Sequence, residues 1–135
     1  MQTEILSIEN ISQELLQSYF EQAFFNTSLD DKGSLFVQDR FRVYLDIAQK
    51  KNSVAFSVYF KISQDSTNEQ KLELVNTINN DLMQVKAILG PTMITIQYDF
   101  WLEGGSTVKN LILAYRHFVA QTVASVSKDK NRVLL

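Results

Sequence analysis

Apolar positions recur along this chain with two periods, near 3.6 and near 2, and each change of period marks the edge of an element. Between Ser12 and Phe25, the residues Leu15, Leu16, Tyr19, Phe20 and Ala23 gather on one side of a helical wheel, which predicts an amphipathic helix. Ser12 stands where an N-cap belongs, with Ile11 and Leu16 placed as a hydrophobic staple. The stretch from Asn26 to Gly33 is polar and ends in Asp30-Asp31-Lys32-Gly33, a turn composition. There the period drops to 2. Leu35 to Gln38 reads as a short strand, and Phe41, Val43, Leu45 and Ile47 then alternate with Arg40, Arg42, Tyr44, Asp46 and Ala48. After a turn over Gln49 to Ser53, the clearest strand places Val54, Phe56, Val58, Phe60 and Ile62 on one face and Ala55, Ser57, Tyr59 and Lys61 on the other.

A polar linker from Ser63 to Asn68 ends in two candidate capping boxes, Ser66 with Glu69 and Thr67 with Gln70. Leu72, Leu74, Val75 and Ile78 form the apolar arc of the helix that follows. Asn79-Asn80-Asp81 is the expected stop, because Met83, Val85, Ala87 and Leu89 then alternate with Gln84, Lys86 and Ile88; one continuous helix to Leu89 is the alternative. Gly90-Pro91 makes a turn into a strand from Thr92 to Leu102, with Ile94, Ile96, Tyr98 and Phe100 set against Thr95, Gln97, Asp99 and Trp101. Gly104 and Gly105 break that strand. Ser106 or Thr107 then caps a last helix, with Val108, Leu111, Ile112, Tyr115, Val119 and Val123 as its buried arc. The order α-β-β-β-α-β-β-α predicts an α+β fold, an antiparallel sheet with its helices packed mainly on one face.

Composition narrows the class. A length of 135 residues suits a single domain over 1–135, with 1–9 and 127–135 expected as loose tails. With 45 % apolar and 21 % charged residues, one proline and four glycines, a packed core is expected rather than disorder. A formal charge of −2 provides no net field to draw in nucleic acid or an anionic membrane, so neither is an expected partner. The absence of cysteine removes disulfides, thiol nucleophiles and thiolate metal sites. The opening residues lack the basic start and apolar run of a secretion signal, and no stretch has the length of a membrane span, so a cytoplasmic protein is expected.

The residues that could carry chemistry all fall in structural positions. His117 is the single histidine and lies on the side of the last helix away from the core, a poor place for a ligand or a general base. Of the carboxylate pairs, Asp30 with Asp31 belongs to a turn, and Glu69 with Glu73 to the first turns of a helix, where negative charge suits the dipole. Of the third pair, Asp99 and Glu103, Asp99 projects from a strand beside Trp101 and stands out from the others, yet an ordinary structural role is the reading favoured there too. Gly104-Gly105 before a helix could hold an anion, but a strand-to-helix turn needs the same residues. No catalytic, cofactor-binding or metal residue is assigned, and a non-enzyme is expected. What remains is a surface: opposite the buried side of the sheet, Tyr44, Ala55, Tyr59, Ile88 and Trp101 lie among Arg42, Lys61, Gln84, Lys86 and Asp99. Apolar groups rimmed by polar ones mark protein interfaces, which makes Tyr44, Tyr59, Ile88 and Trp101 the candidate contacts.

Ile78-Asn79, Leu82 and Val85-Lys86-Ala87-Ile88-Leu89, followed by a strand, then Leu102, Gly105-Ser106-Thr107 and a helix carrying Phe118, resemble the YbjN family of bacterial sensory-transduction regulators. The resemblance implies a secretion-chaperone-like fold, whose element order agrees with the one read above, and a bacterial cytoplasmic protein. Its known chaperone relatives are small acidic homodimers that hold a client in extended form. The resemblance brings no catalytic residue. Asn79 matches a recurrent asparagine of the family, and its place at a helix end suits a cap or a buried hydrogen bond. Together these observations imply a non-enzymatic protein-binding module, chaperone-like or regulatory, acting as a homodimer on an unidentified protein client. A small-molecule-sensing regulator is the alternative.

Overall fold

A computed structural model describes residues 5–135. Their elements run β1 (Ile5–Leu6), α1 (Gln13–Gln22), β2 (Thr27–Leu29), β3 (Leu35–Gln38), β4 (Arg42–Ile47), β5 (Ser53–Lys61), α2 (Asn68–Asp81), β6 (Lys86–Leu89), β7 (Met93–Trp101), β8 (Ser106–Thr107) and α3 (Val108–Ser127). Six strands form one sheet in the order β2-β3-β4-β5-β7-β6, and β1 pairs with β8 in a small antiparallel ladder. This is the α+β arrangement that the change of period predicts. β1, β2 and β8 are additional to it, because strands of two or three residues are too short to show a period.

The chain clusters into two compact units, Ser57–Tyr98 with Phe118–Leu135, and the remainder up to Phe56 with Asp99–His117. In the latter, α1 starts as expected: the Ser12 hydroxyl accepts the Leu15 N–H at 3.1 Å. It stops three residues short of Phe25, in a Schellman turn. The Phe25 N–H donates to the Phe20 carbonyl and the Phe24 N–H to the Glu21 carbonyl, each at 3.0 Å, with Phe24 left-handed at φ 70°. The helix packs against β2 and β3. Beside it lies an aromatic core in which the buried Tyr115 ring makes edge contacts with Phe20 and Phe25, both at 5.0 Å, and with Phe56 at 5.8 Å. The Tyr115 hydroxyl reaches out of this core and donates to Asp39 Oδ2 at 3.1 Å.

In the other unit, α2 opens with the second of the two candidate boxes. Thr67 Oγ1 accepts the Gln70 N–H, and the Gln70 side chain accepts the Thr67 N–H. Ser66 is otherwise engaged, its hydroxyl donating to the Ser63 carbonyl. The helix ends at Asp81 as the asparagines predict, so the continuous alternative is excluded, yet the following strand is short: Gln84 turns left-handed at φ 66° and pairing begins only at Lys86. The arc of α3 also needs correction beyond Tyr115. Phe118, Thr122 and Ser125 are buried there, while Val119 and Val123 are only partly covered. The hydroxyls of Thr122 and Ser125 donate back to the Phe118 and Gln121 carbonyls at 2.9 Å, which leaves them no hydrogen-bond demand inside the core.

Residues 127–135 are not a loose tail. The Asp129 carboxylate accepts the N–H groups of Val133 and Leu134, both at 2.9 Å. The Ser63 N–H donates to the Val133 carbonyl at 2.7 Å, and the Leu135 N–H to the Lys61 carbonyl at 2.9 Å, with Val133 fully buried. Of the other expected tail, 1–9, the first four positions lie outside the described residues, and Ile5–Leu6 pairs with Thr107 and Ser106.

Candidate interaction surfaces

Strand alternation decides which side chains the sheet keeps and which it offers. In β5, Val54, Phe56 and Val58 are buried, which turns Tyr59 outward with 45 % of its surface exposed. In β6, the buried Ala87 leaves the neighbouring Ile88 at 43 % exposed, opposite Thr95 in the β6–β7 register. Both belong to the unit of α2. In the other unit, β7 buries Phe100 and presents Trp101 at 56 %. Tyr44, the fourth expected contact, is half-buried: its ring lies 5.6 Å from that of Phe36, its partner in the β3–β4 register, and the Arg42 guanidinium sits 4.2 Å over the same Phe36 ring. Phe36 is thereby buried on what the alternation makes an outward position. Ile88, Trp101 and nearly half of Tyr59 are thus exposed, whereas Tyr44 serves this local aromatic stack.

The groups weighed for chemistry take structural places. Asp30 Oδ1 accepts the N–H groups of Lys32 and Ser34 at 2.9 Å, closing the turn before β3. The Ser34 N–H in particular holds its carboxyl below the usual aspartate range. Asp46 is pushed the other way, upward, first by loss of hydration and then by the Asp30 charge. Asp99, Glu103 and His117 are all exposed. Gly104 and Gly105 both adopt φ 83°, the left-handed backbone that a side chain resists, so the glycine pair is explained by the turn into β8. Among the described residues, no group of three or more His, Asp or Glu side chains converges as a metal site would require, and no helix is long and apolar enough to cross a membrane.

Asn79 hydrogen-bonds, but not in either expected form: it is exposed rather than buried, and its amide bonds a strand instead of capping its helix. Its Nδ2 donates to the Ala87 carbonyl at 3.0 Å while its Oδ1 accepts the Ala87 N–H at 2.6 Å. The amide thus occupies both backbone groups of one residue of β6. In the same unit, a depression of about 420 Å³ is lined by apolar residues, Ile62, Pro91, Met93 and Leu135, together with Lys61 and Lys71 and the polar Ser63, Gln64 and Thr92.

Phe24, at 96 %, and Leu29 are among several exposed apolar residues that the sequence pattern does not single out, and Leu72, expected in the apolar arc of α2, is itself half exposed. The helical pattern extends over Phe24 at the end of α1, and Leu29 lies in a stretch whose polar composition predicts a turn. The signal available for the first was an aromatic residue at a helix end outside the apolar arc.

Residues 8–132 match the model of the YbjN family, described as "Putative bacterial sensory transduction regulator". A search of curated proteins gives no match. Among solved structures, the chain is similar to that of YbjN, described as a putative transcription regulator from E. coli, with 14 % identity and a TM-score of 0.79 over 93 % of this chain and 96 % of that one. At that identity the likeness speaks for the fold.

Proposed function

The chain belongs to the YbjN family, and from that premise we propose that it is a non-enzymatic regulatory module that works by binding protein, its own copy included. The observation that supports this most is the set of large side chains that the strands hold outward and exposed, Trp101 above all, with Ile88 and Tyr59. Aromatic residues in such positions are the usual anchors of protein interfaces, because they bury much area for little lost side-chain freedom. The description of the family as a regulator fits a protein that acts through contacts rather than turnover. Substituting Trp101→Ala and Tyr59→Ala is expected to change the set of proteins that co-purify from the native cell. An unchanged set with both variants folded would show that these faces are not the binding surface.

A second reading, a regulator that senses a small molecule, draws on the depression lined by Lys61 and Lys71 together with Ile62, Pro91, Met93 and Leu135, a mixture that suits an amphipathic acid. A thermal-shift screen of organic acids and nucleotides separates the two: a sensor gains stability with a ligand at saturation. No gain with any of them would remove this reading.

A further inference from the structure

Just past the end of β5, Ile62 is held between two neighbours. Its N–H donates to the Thr92 carbonyl at 3.1 Å, and Leu134 forms an antiparallel bridge with it. The depression of about 420 Å³ opens at this junction, so its lining comes from the end of β5, the start of β7, α2 and, through Leu135, the C-terminal segment. That volume falls within the roughly 300–1,000 Å³ of small-ligand sites.

The lining divides by chemistry. Its apolar part is aliphatic throughout, so it offers no ring on which a nucleobase could stack, while the flexible Met93 side chain adapts readily to an alkyl chain. Met93 and Leu135 are 41 % and 76 % exposed, surface that a ligand would cover. The polar part is rich in donors. Lys61 is exposed and Lys71 partly covered, and among the described residues neither ammonium has a carboxylate partner. Lys71 stands in the first turn of α2, where the helix dipole disfavours a cation. Ser63 Oγ accepts the Asp65 N–H at 3.3 Å, which leaves its own hydrogen to donate. One anionic head would answer both lysines and the hydroxyl.

We propose that this depression binds an aliphatic acid, an alkyl chain with one anionic head, and that the segment from Asp129 to Leu135 is the wall that responds to it. The proposal rests on the sensor reading above and narrows it. The segment is suited to respond because its anchors are few: the Asp129 carboxylate on the N–H groups of Val133 and Leu134, two backbone bonds to Lys61 and Ser63, and the buried Val133. Within it, Arg132 is left-handed at φ 54°, a conformation that a residue with a side chain resists. A ligand lying against Leu135 meets that wall only when the segment is docked. Binding therefore favours docking, and by linkage docking favours binding to the same degree.

The test uses the full chain with decanoate and decyl phosphate as probes, below their micelle concentrations, and decanol as the neutral control. Either acid is expected to raise the melting temperature, and to slow amide exchange at Leu134 and Leu135 while leaving Tyr115 unchanged. The Lys61→Gln, Lys71→Gln double variant should weaken binding about tenfold, the worth of two partly exposed ion pairs. Asp129→Ala should weaken it about fivefold or more, although Asp129 does not line the depression, because the released segment withdraws a wall. If that variant does not fold, the exchange at Leu134 and Leu135 in the wild-type chain decides the coupling. No stabilisation by either acid, or an equal one by decanol, would overturn the proposal. So would undiminished binding in the double variant or in a folded Asp129→Ala protein, or exchange at Leu134 and Leu135 that neither acid alters. A nucleotide that stabilises the chain where both acids fail would overturn the aliphatic ligand and keep the sensor reading, whereas failure of every compound removes both.

Discussion

Tyr115 shows how one side chain can serve two environments. Its ring closes the aromatic core of its unit, while its hydroxyl meets a carboxylate, Asp39, at 3.1 Å. Burial, reinforced by the Asp39 charge, pushes its pKa far above the ordinary tyrosine value, so the phenol remains a donor throughout the working pH range. Replacing it by phenylalanine keeps the packing and removes the bond. Tyr115→Phe is expected to lower stability by about 1.5–3 kcal/mol in chemical denaturation, the worth of a hydrogen bond to a charged group. Asp46 behaves oppositely. Its raised pKa means that the folded state prefers the neutral acid, so ionisation opposes folding above the folded pKa, and that opposition vanishes below the unfolded one. Asp46→Asn should therefore raise the melting temperature near neutral pH, and the gain should disappear as the pH falls through the carboxylate range.

Among the elements, β6 depends most on a residue outside itself. Four residues at the end of a sheet form a marginal strand, and the amide of Asn79 satisfies the two backbone groups that would otherwise face outward at its middle. Asn79→Ala is expected to cost about 1–3 kcal/mol through the two lost bonds. Amide hydrogen exchange should accelerate at Ala87 more than at Ile96 across the ladder. Reading the sequence places Asn79 at a helix end with a hydrogen-bonding role, but the partner lies eight positions on in a strand, and helical periodicity says nothing of it. The same contrast runs through α2, where the capping spacing allows two boxes and the bond from Ser66 to Ser63 leaves Thr67 to cap.

Over the whole molecule, the last nine residues illustrate how local chemistry can order a segment with little apolar content. Asp129 collects two backbone N–H groups, and this turn delivers Val133 to the core and the chain beside Lys61 and Ser63. Asp129→Ala should release the segment at a cost of about 1–3 kcal/mol, with lost exchange protection at Val133 and Leu134 and little change at Tyr115. The element order and the buried faces of β4, β5 and β7 were legible because an alternating pattern over six or more residues has one consistent solution. The tail was not legible, because a charged stretch gives no periodic signal and its anchor is a single carboxylate.

The sequence by itself determined the α+β class, the helix start at Ser12 and a second start at either Ser66 or Thr67, the stop at Asp81, the outward direction of Tyr59, Ile88 and Trp101, and the structural roles of the glycine pair. All of these follow from period, capping chemistry or backbone conformation, which are local. Tertiary structure decided what depends on residues distant in the chain. It tied Tyr44 to Phe36 and Arg42, turned the arc of α3 onto Phe118, Thr122 and Ser125, and gave the outward backbone groups of Ala87 in β6 to Asn79. Pairing consumes backbone groups strand by strand, and which ones remain unpaired is fixed only when the strand order is complete.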